Sequence, residues 1–248
     1  MSEGPRKITI EITKVTILLF AVFLVIGYFA GGLFPFSNFL DKNAAAPNQA
    51  NFASYTSTNQ ASNQVLKIGL PPFAIPLGSG SAQLNIVEFG DYQCPYCERF
   101  FKDTEPQIMQ DYVNTGKAKF YFLDFTIIGP DSLTLADGAW CAADQNKYYE
   151  YHDYVYSHQG VENSGWGTPE KVKAFASSIS GLDTQQFNAC LDSKKYESRV
   201  QQLTQFGQRL GISGTPTTFI GNNENGYLTL TGAQPYDVIK QVIDKQLG

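Results

Sequence analysis

Hydrophobic and polar positions divide the chain into three regimes. From Val15 to Leu40 there is no charged residue, and the stretch from Val15 to Ala30 is almost wholly apolar. Extended to Phe34 it supplies about 20 residues, enough for a helix to cross a hydrocarbon core of ~30 Å. Residues 43–64 are uncharged but rich in Asn, Ala, Ser, Gln and Thr, with little to bury, which predicts a tether. Beyond Lys67 the pattern becomes that of a packed domain. A short strand is expected near residues 66–69, and the apolar run at 84–89 predicts a buried one. A helix follows to about Asn114, kinked at Glu105-Pro106, and then an alternating strand at 117–125. Helical periodicity dominates next. Asp131 and Ser132 cap a segment running to Asn146, and Thr168-Pro169-Glu170 opens one ending near Ser180. Residues 183–191 and 196–210 complete the helical stretch, with Gly211 as a stop. A hairpin from strands at 217–220 and 227–231 and a final helix at 235–247 close the chain.

Charge and flanking residues refine the N-terminal picture. A cleavable signal peptide would have a shorter apolar region, and the tempting small-residue site, Ala44-Ala45-Ala46, lies well past the run. An uncleaved anchor is therefore expected: residues 1–14 cytoplasmic, 15–34 spanning, 35–66 a flexible linker and 67–248 the folded domain. Arg6, Lys7 and Lys14 precede the span, which puts the domain on the extracytoplasmic side of the cell membrane as a single-pass protein. The net charge of −5, with no long basic run, argues against nucleic acid as a partner.

The candidate chemistry centres on Cys94-Pro95-Tyr96-Cys97, placed between a predicted strand and a predicted helix. Cysteines at this spacing share one face of the first helical turn, where they can form a reversible disulfide. The helix N-terminus favours thiolate over thiol at Cys94. Half of a zinc site has the same spacing, but the further candidates Cys141, Cys190, His152 and His158 form no second C-x-x-C and no finger-spaced His pair. His152 and His158 lie among Tyr149, Tyr151, Tyr154 and Tyr156, the pattern of a helix with a packed aromatic face. No metal or other cofactor is expected. Far along the chain, Thr215-Pro216 leads into the β-branched and aromatic run Thr217-Thr218-Phe219-Ile220, a position at which a strand accepts proline.

Together these motifs resemble the thioredoxin superfamily, in which such a Thr-Pro pair is cis and faces the cysteines. More than a hundred residues separate Cys97 from Thr215, and the excess, about 131–211, reads as helix after helix. That is similar to the DsbA-like thiol–disulfide oxidoreductases, whose thioredoxin fold carries an inserted helical domain. The segments from Glu88 to Cys97, from Trp140 to Gln145 and from Tyr148 to His152 resemble their membrane-anchored bacterial and archaeal members. The resemblance implies an α/β fold preceded by one transmembrane helix. It implies that Cys94 is the exposed cysteine that forms mixed disulfides and that Cys97 is the buried one that resolves them. Pro95 keeps the turn rigid. Tyr96 stands at the variable dipeptide position, where the strongest oxidants of the family carry His. Glu88, six residues before Cys94, matches the family's acidic residue beneath the disulfide and would exchange a proton with Cys97. Thr215 would offer its backbone to an extended substrate. Asp91 is expected at the surface or in a turn.

Cys141 and Cys190 fall on predicted helices of the insertion. They could form a second redox pair that relays electrons. A structural staple is the reading preferred for an extracytoplasmic domain. The function implied is disulfide donation to cysteine-containing exported proteins, with a quinone-linked membrane thiol oxidase as the family's usual partner. A reductase or isomerase on the same fold, and a membrane-tethered chaperone or binding module with a structural disulfide, are the alternatives.

Overall fold

The computed structural model describes residues 62–248. The expected cytoplasmic N-terminus, the membrane span and residues 35–61 of the expected linker lie outside the described residues. Among the described residues no helix is long and apolar enough to cross a membrane.

Five strands form one sheet in the order β1-β5-β4-β2-β3. They are β1 (Ser62–Leu66), β2 (Leu84–Gly90), β3 (Ala118–Asp124), β4 (Thr217–Asn222) and β5 (Gly226–Thr231). β1 lies a few residues earlier than the pattern predicts. Residues 62–66, read as the end of the linker, pair antiparallel with β5 instead. β2 is buried at every position, Asn85 and Glu88 included, as a strand covered on both faces requires. It pairs parallel with β3 and antiparallel with β4. A parallel neighbour demands a crossover, and a broken helix supplies it. α1 (Pro95–Asp103) stops at Thr104, α2 (Glu105–Ile108) restarts with Pro106 in its first turn, and a π-helical turn carries the chain on through Met109–Val113. Proline cannot donate to the preceding turn, so the break falls where Glu105-Pro106 predicts it.

Between β3 and β4 the chain is helical: α3 (Pro130–Ala143), α4 (Tyr148–Ser157), α5 (Pro169–Ser177), α6 (Thr184–Asp192) and α7 (Glu197–Arg209). A last helix, α8 (Tyr236–Leu247), packs on β4 and α2. α3 is the hub, touching α4, α5, α6 and α7, and it is buried from Leu135 to Ala142. Its apolar residues run all round the helix, as a buried helix requires. Its cap differs from expectation. Gly129 is the N-cap, while Asp131 and Ser132 lie inside the first turn, where Ser132 Oγ accepts from Gln93 Nε2 at 2.9 Å. Asp183, expected as the first residue of the helix, is instead the N-cap of α6, accepting from the amides of Gln185 (2.9 Å) and Gln186 (3.1 Å). Thr168 precedes α5 in extended conformation, but its side chain makes no cap bond. Gly211, at φ +79°, ends α7: Ile212 N donates to Gly207 O and Gly211 N to Gln208 O, the paired closure that a left-handed residue permits.

Cys141 of α3 and Cys190 of α6 are joined in a disulfide, with Cα atoms 5.8 Å apart. The two faces of the sheet carry different cargo. Phe89, Phe125, Phe206 and Phe219 cluster on the face covered by α7. On the other face Glu88 stands in register with Phe122 and Thr218, and Phe122 meets His152 and Tyr156 of α4.

Candidate active site

The motif sits where β2 ends and α1 begins, at the edge of that second face. Asp91 organises the turn. Its backbone oxygen accepts from Cys94 N at 2.9 Å and from Tyr156 OH at 3.2 Å. Its carboxylate accepts from the amides of Gln93 (2.9 Å), Ile127 (2.9 Å) and Ile128 (3.1 Å). Of the two expectations for Asp91, surface or turn, the turn holds: it is fully buried, and its carboxylate ties the motif to the loop after β3. Gln159 Nε2 donates to the carbonyls of Tyr92 (2.7 Å) and Cys94 (3.1 Å) from the opposite side.

Cys94 is the N-cap residue of α1, in extended conformation at φ −75° and ψ 118°, and Pro95 occupies the first helical position. Proline has no amide to leave unsatisfied there. Cys97 follows in the first turn, and both cysteines are free thiols. Cys97 is 0 % exposed; Cys94, expected to be the exposed one, is only 5 % exposed. The difference has a local cause. Cys94 lies under the Thr215 segment, and its thiol donates to Thr215 O at 3.4 Å. Tyr96, between the cysteines, projects into solvent instead. The Thr215–Pro216 bond is cis, and it brings a loop distant in sequence onto the motif.

Electrostatics separate the two sulfurs. The Cys97 thiol hydrogen-bonds Cys94 and lowers its pKa to about 6, with help from the Thr215 side chain and the amides of Cys97 and Tyr96 and against the burial that opposes ionisation. Burial pushes Cys97 well above the ordinary thiol range, and its bond with Cys94 and the nearby charge of Glu88 push the same way. Glu88 is 1 % exposed, and burial, then the charge on Cys94, raises it to about 8. Near neutral pH the site therefore holds a Cys94 thiolate, a Cys97 thiol and a protonated Glu88. That arrangement suits thiol–disulfide exchange: a good nucleophile and leaving group, a buried resolving sulfur and an acid able to give or take one proton.

Other titratable groups lie around the motif. His152 is enclosed by Tyr92, Phe101, Phe122, Tyr149 and Tyr156, in keeping with the aromatic helix face expected there. Glu105, visible in the sequence only as part of a kink, is buried beside it and raised to about 8 by burial, against the lowering influence of His152. Asp124 at the end of β3 accepts from Trp140 Nε1 at 2.7 Å, and burial raises it to about 7. Cys141 and Cys190 are consumed by their disulfide, and His158 Nδ1 lies 2.8 Å from Tyr154 O, so none of these three joins the motif.

A parallel β2–β3 pair, an antiparallel hairpin, a dithiol at a helix start and a facing cis-proline define a thioredoxin-fold thiol–disulfide exchange protein. The family described as Thioredoxin matches residues 73–245. A probable disulfide bond formation protein D of Bacillus anthracis is 32% identical over 175 residues, covering 69% of this chain and 77% of its own. The disulfide bond formation protein D of Bacillus subtilis (strain 168) is 28% identical over 173 residues, covering 69% and 76%. The crystal structure of oxidised BdbD from Bacillus subtilis superposes with a TM-score of 0.63 at 28% identity, covering 69% of this chain and 91% of that one. Wolbachia pipientis alpha-DsbA1, 24% identical with a TM-score of 0.61, shares the fold. The chain belongs to the thioredoxin family, among its DsbA-like thiol–disulfide oxidoreductases.

Proposed function

We propose that this oxidoreductase acts as a disulfide donor, anchored in the cell membrane by residues 15–34 with its domain on the extracytoplasmic side, and that it oxidises cysteine pairs in exported proteins. The observation that carries the direction is the contrast between the sulfurs. A Cys94 thiolate stabilised to a pKa of about 6 stabilises the reduced protein, which makes its disulfide the more oxidising. The Cys141–Cys190 disulfide adds support, because permanent disulfides belong to oxidising compartments. The two curated relatives are also named for disulfide bond formation.

In the proposed cycle a substrate thiolate attacks Cys94 Sγ of the oxidised pair. A bond forms between the substrate sulfur and Cys94, and the Cys94–Cys97 bond breaks. The electron pair stays on Cys97, which takes a proton from Glu88. The second substrate thiolate then attacks the first substrate sulfur and expels Cys94 as a thiolate. Two substrate thiols are oxidised and the protein's disulfide is reduced. Thr215 presents backbone to the substrate chain in strand-like fashion, a mode that tolerates many sequences. The exposed apolar side chains of Tyr96, Ile127 and Val161 belong to segments that adjoin the motif and offer sequence-tolerant contact. Reoxidation falls to a membrane thiol oxidase linked to quinones.

The reduction potential of Cys94–Cys97 in the full-length protein tests the direction. A value between about −120 and −180 mV fits donation, and one near −270 mV makes reductase the correct name.

A further inference from the structure

A proton delivered to Cys97 must be replaced, yet Glu88 is sealed beneath the motif. We propose that Glu105 and His152 form a buried proton route from Glu88 to solvent, opening at Asp153, and that it carries the proton exchanged at Cys97; this rests on the reading of Glu88 as that proton's donor.

The sheet and two helices assemble the route. Glu88 of β2 shares its face and register with Phe122 of β3, whose ring lies 4.7 Å from that of His152. Glu105 opens α2 directly after the Thr104 break, which is pinned by Thr104 Oγ1 donating to Gln234 O at 2.9 Å. Carboxylate and imidazole atoms of Glu105, His152 and Asp153 lie within 4.8 Å of one another. His152 Nδ1 is 3.0 Å from Asp153 Oδ1. Exposure changes abruptly along the series: Glu105 is 5 % and His152 0 % exposed, whereas the Asp153 side chain is 60 % exposed.

Two atoms in this series are buried with no protein partner, Glu105 Oε2 and His152 Nε2. A purely structural carboxyl–imidazole pair would satisfy them, since buried polar atoms are almost always bonded. Open valences on neighbouring groups are what a proton relay, direct or through a buried water, requires. Glu88 is faced by Cys94 and Cys97 from α1, Tyr156 from α4 and Glu105 from α2. Glu105 is faced by His152, Asp153 and Tyr149 of α4. Tyr92, Tyr149 and Tyr156 line the pocket around His152, and burial holds all three phenols well above their ordinary range. Burial raises both Glu88 and Glu105 to about 8, so each carboxyl can hold a proton at neutral pH.

Once Glu88 has protonated the departing Cys97 thiolate, its carboxylate takes a proton from Glu105. Glu105 takes one from His152, and the imidazole is refilled from water at Asp153. Reoxidation of the dithiol runs the same transfers backward. No electrons move along the route.

The test is rapid-mixing reduction of the oxidised full-length protein by dithiothreitol, with thiol trapping of Cys97, from pH 5 to 9 in H2O and D2O. Glu105→Gln and Asp153→Asn are expected to slow the step by less than the ~10²-fold that loss of a direct general acid costs, and to change its pH profile and solvent isotope effect. The Cys94 thiolate titration, read by absorbance at 240 nm, should stay in place. Asp153→Asn sits at the surface and keeps the test valid if Glu105→Gln fails to fold. Wild-type profiles in both variants, with an altered profile in Glu88→Gln, would overturn the route and leave the Glu88 reading intact. A wild-type profile in Glu88→Gln would overturn both. Loss of the effect on chelation of the wild-type protein with EDTA would show a bound cation in place of a proton path.

Discussion

Cys94 Sγ lies 3.4 Å from the carbonyl oxygen of Thr215, a residue 121 positions further along the chain. The contact joins the start of α1 to the loop before β4 and closes one side of the site. It also explains why the cysteine expected to be open to partners is nearly buried. The Thr215 side chain also helps to hold Cys94 ionised, second among the hydrogen bonds that do so. Thr215→Val, which keeps the β-branched shape and removes the hydroxyl, should raise the Cys94 pKa from about 6, measured by thiolate absorbance at 240 nm. An unmoved titration curve would leave Cys97 and the helix amides as the whole source of the shift.

Much of this arrangement was legible in the sequence because it is local. An apolar run, a C-x-x-C at its end and an acid six residues before the first cysteine specify a strand, a helix start and a carboxyl on a buried strand. Glu105-Pro106 marks the helix break, and Gly211 marks a helix end. What escaped is tertiary. That Asp91 is a buried turn residue was not legible, because its partners, the amides of Ile127 and Ile128, belong to a loop beyond β3. Gln159 has no local signature, although it braces Cys94 from the loop after α4. Glu105 and His152 each had a sufficient local explanation, a kink and an aromatic face. Nothing short of the α2–α4 packing puts them together. The signal was present in weak form: an acid at a helix break and an imidazole within a run of tyrosines.

The Cys141–Cys190 link should matter to stability and not to exchange. It closes a loop with a sequence separation of 49 between the hub helix α3 and α6. In the chain-entropy model, opening such a loop costs ~4 kcal/mol at most. Cys141→Ala with Cys190→Ala should lower the urea midpoint strongly while leaving the dithiol's exchange with glutathione in place. Loss of exchange in a still-folded double variant would mean that this pair takes part in electron transfer.

Gly207 permits the close approach of α7 to the sheet. A Cβ built there would lie 2.6 Å from the Phe125 ring and 3.2 Å from that of Phe89. Alanine would gain up to ~1 kcal/mol in helix propensity. Overpacking against two buried rings costs ~1–3 kcal/mol. The rings are themselves locked edge-to-face at 6.4 Å, so the clash should win. Gly207→Ala should be less stable than wild type by chemical denaturation, and a gain in stability would show that the helix can lift without loss.

The buried acids predict how stability depends on pH. Glu88 and Glu105 sit at about 8 in the folded reduced protein, against an unfolded value near 4.3. Between those limits the folded state holds protons that the unfolded state has lost. Stability from these groups is therefore fully present below about pH 4 and declines as pH rises toward 8, by up to about 1.4 kcal/mol per pH unit per group. Asp124 and Asp137, raised to about 7 and about 6, act in the same direction over narrower windows. Cys94 acts oppositely, since its folded value of about 6 lies below the unfolded thiol value, so it restores stability between about pH 6 and 8.5. The reduced protein should accordingly lose stability most steeply between pH 4.5 and 6, where only the acids titrate. Glu88→Gln removes one of them and should flatten that slope by about one proton, read from urea denaturation at several pH values across the window. If the slope is unchanged, Glu88 is already ionised in the folded protein and cannot be the acid that serves Cys97.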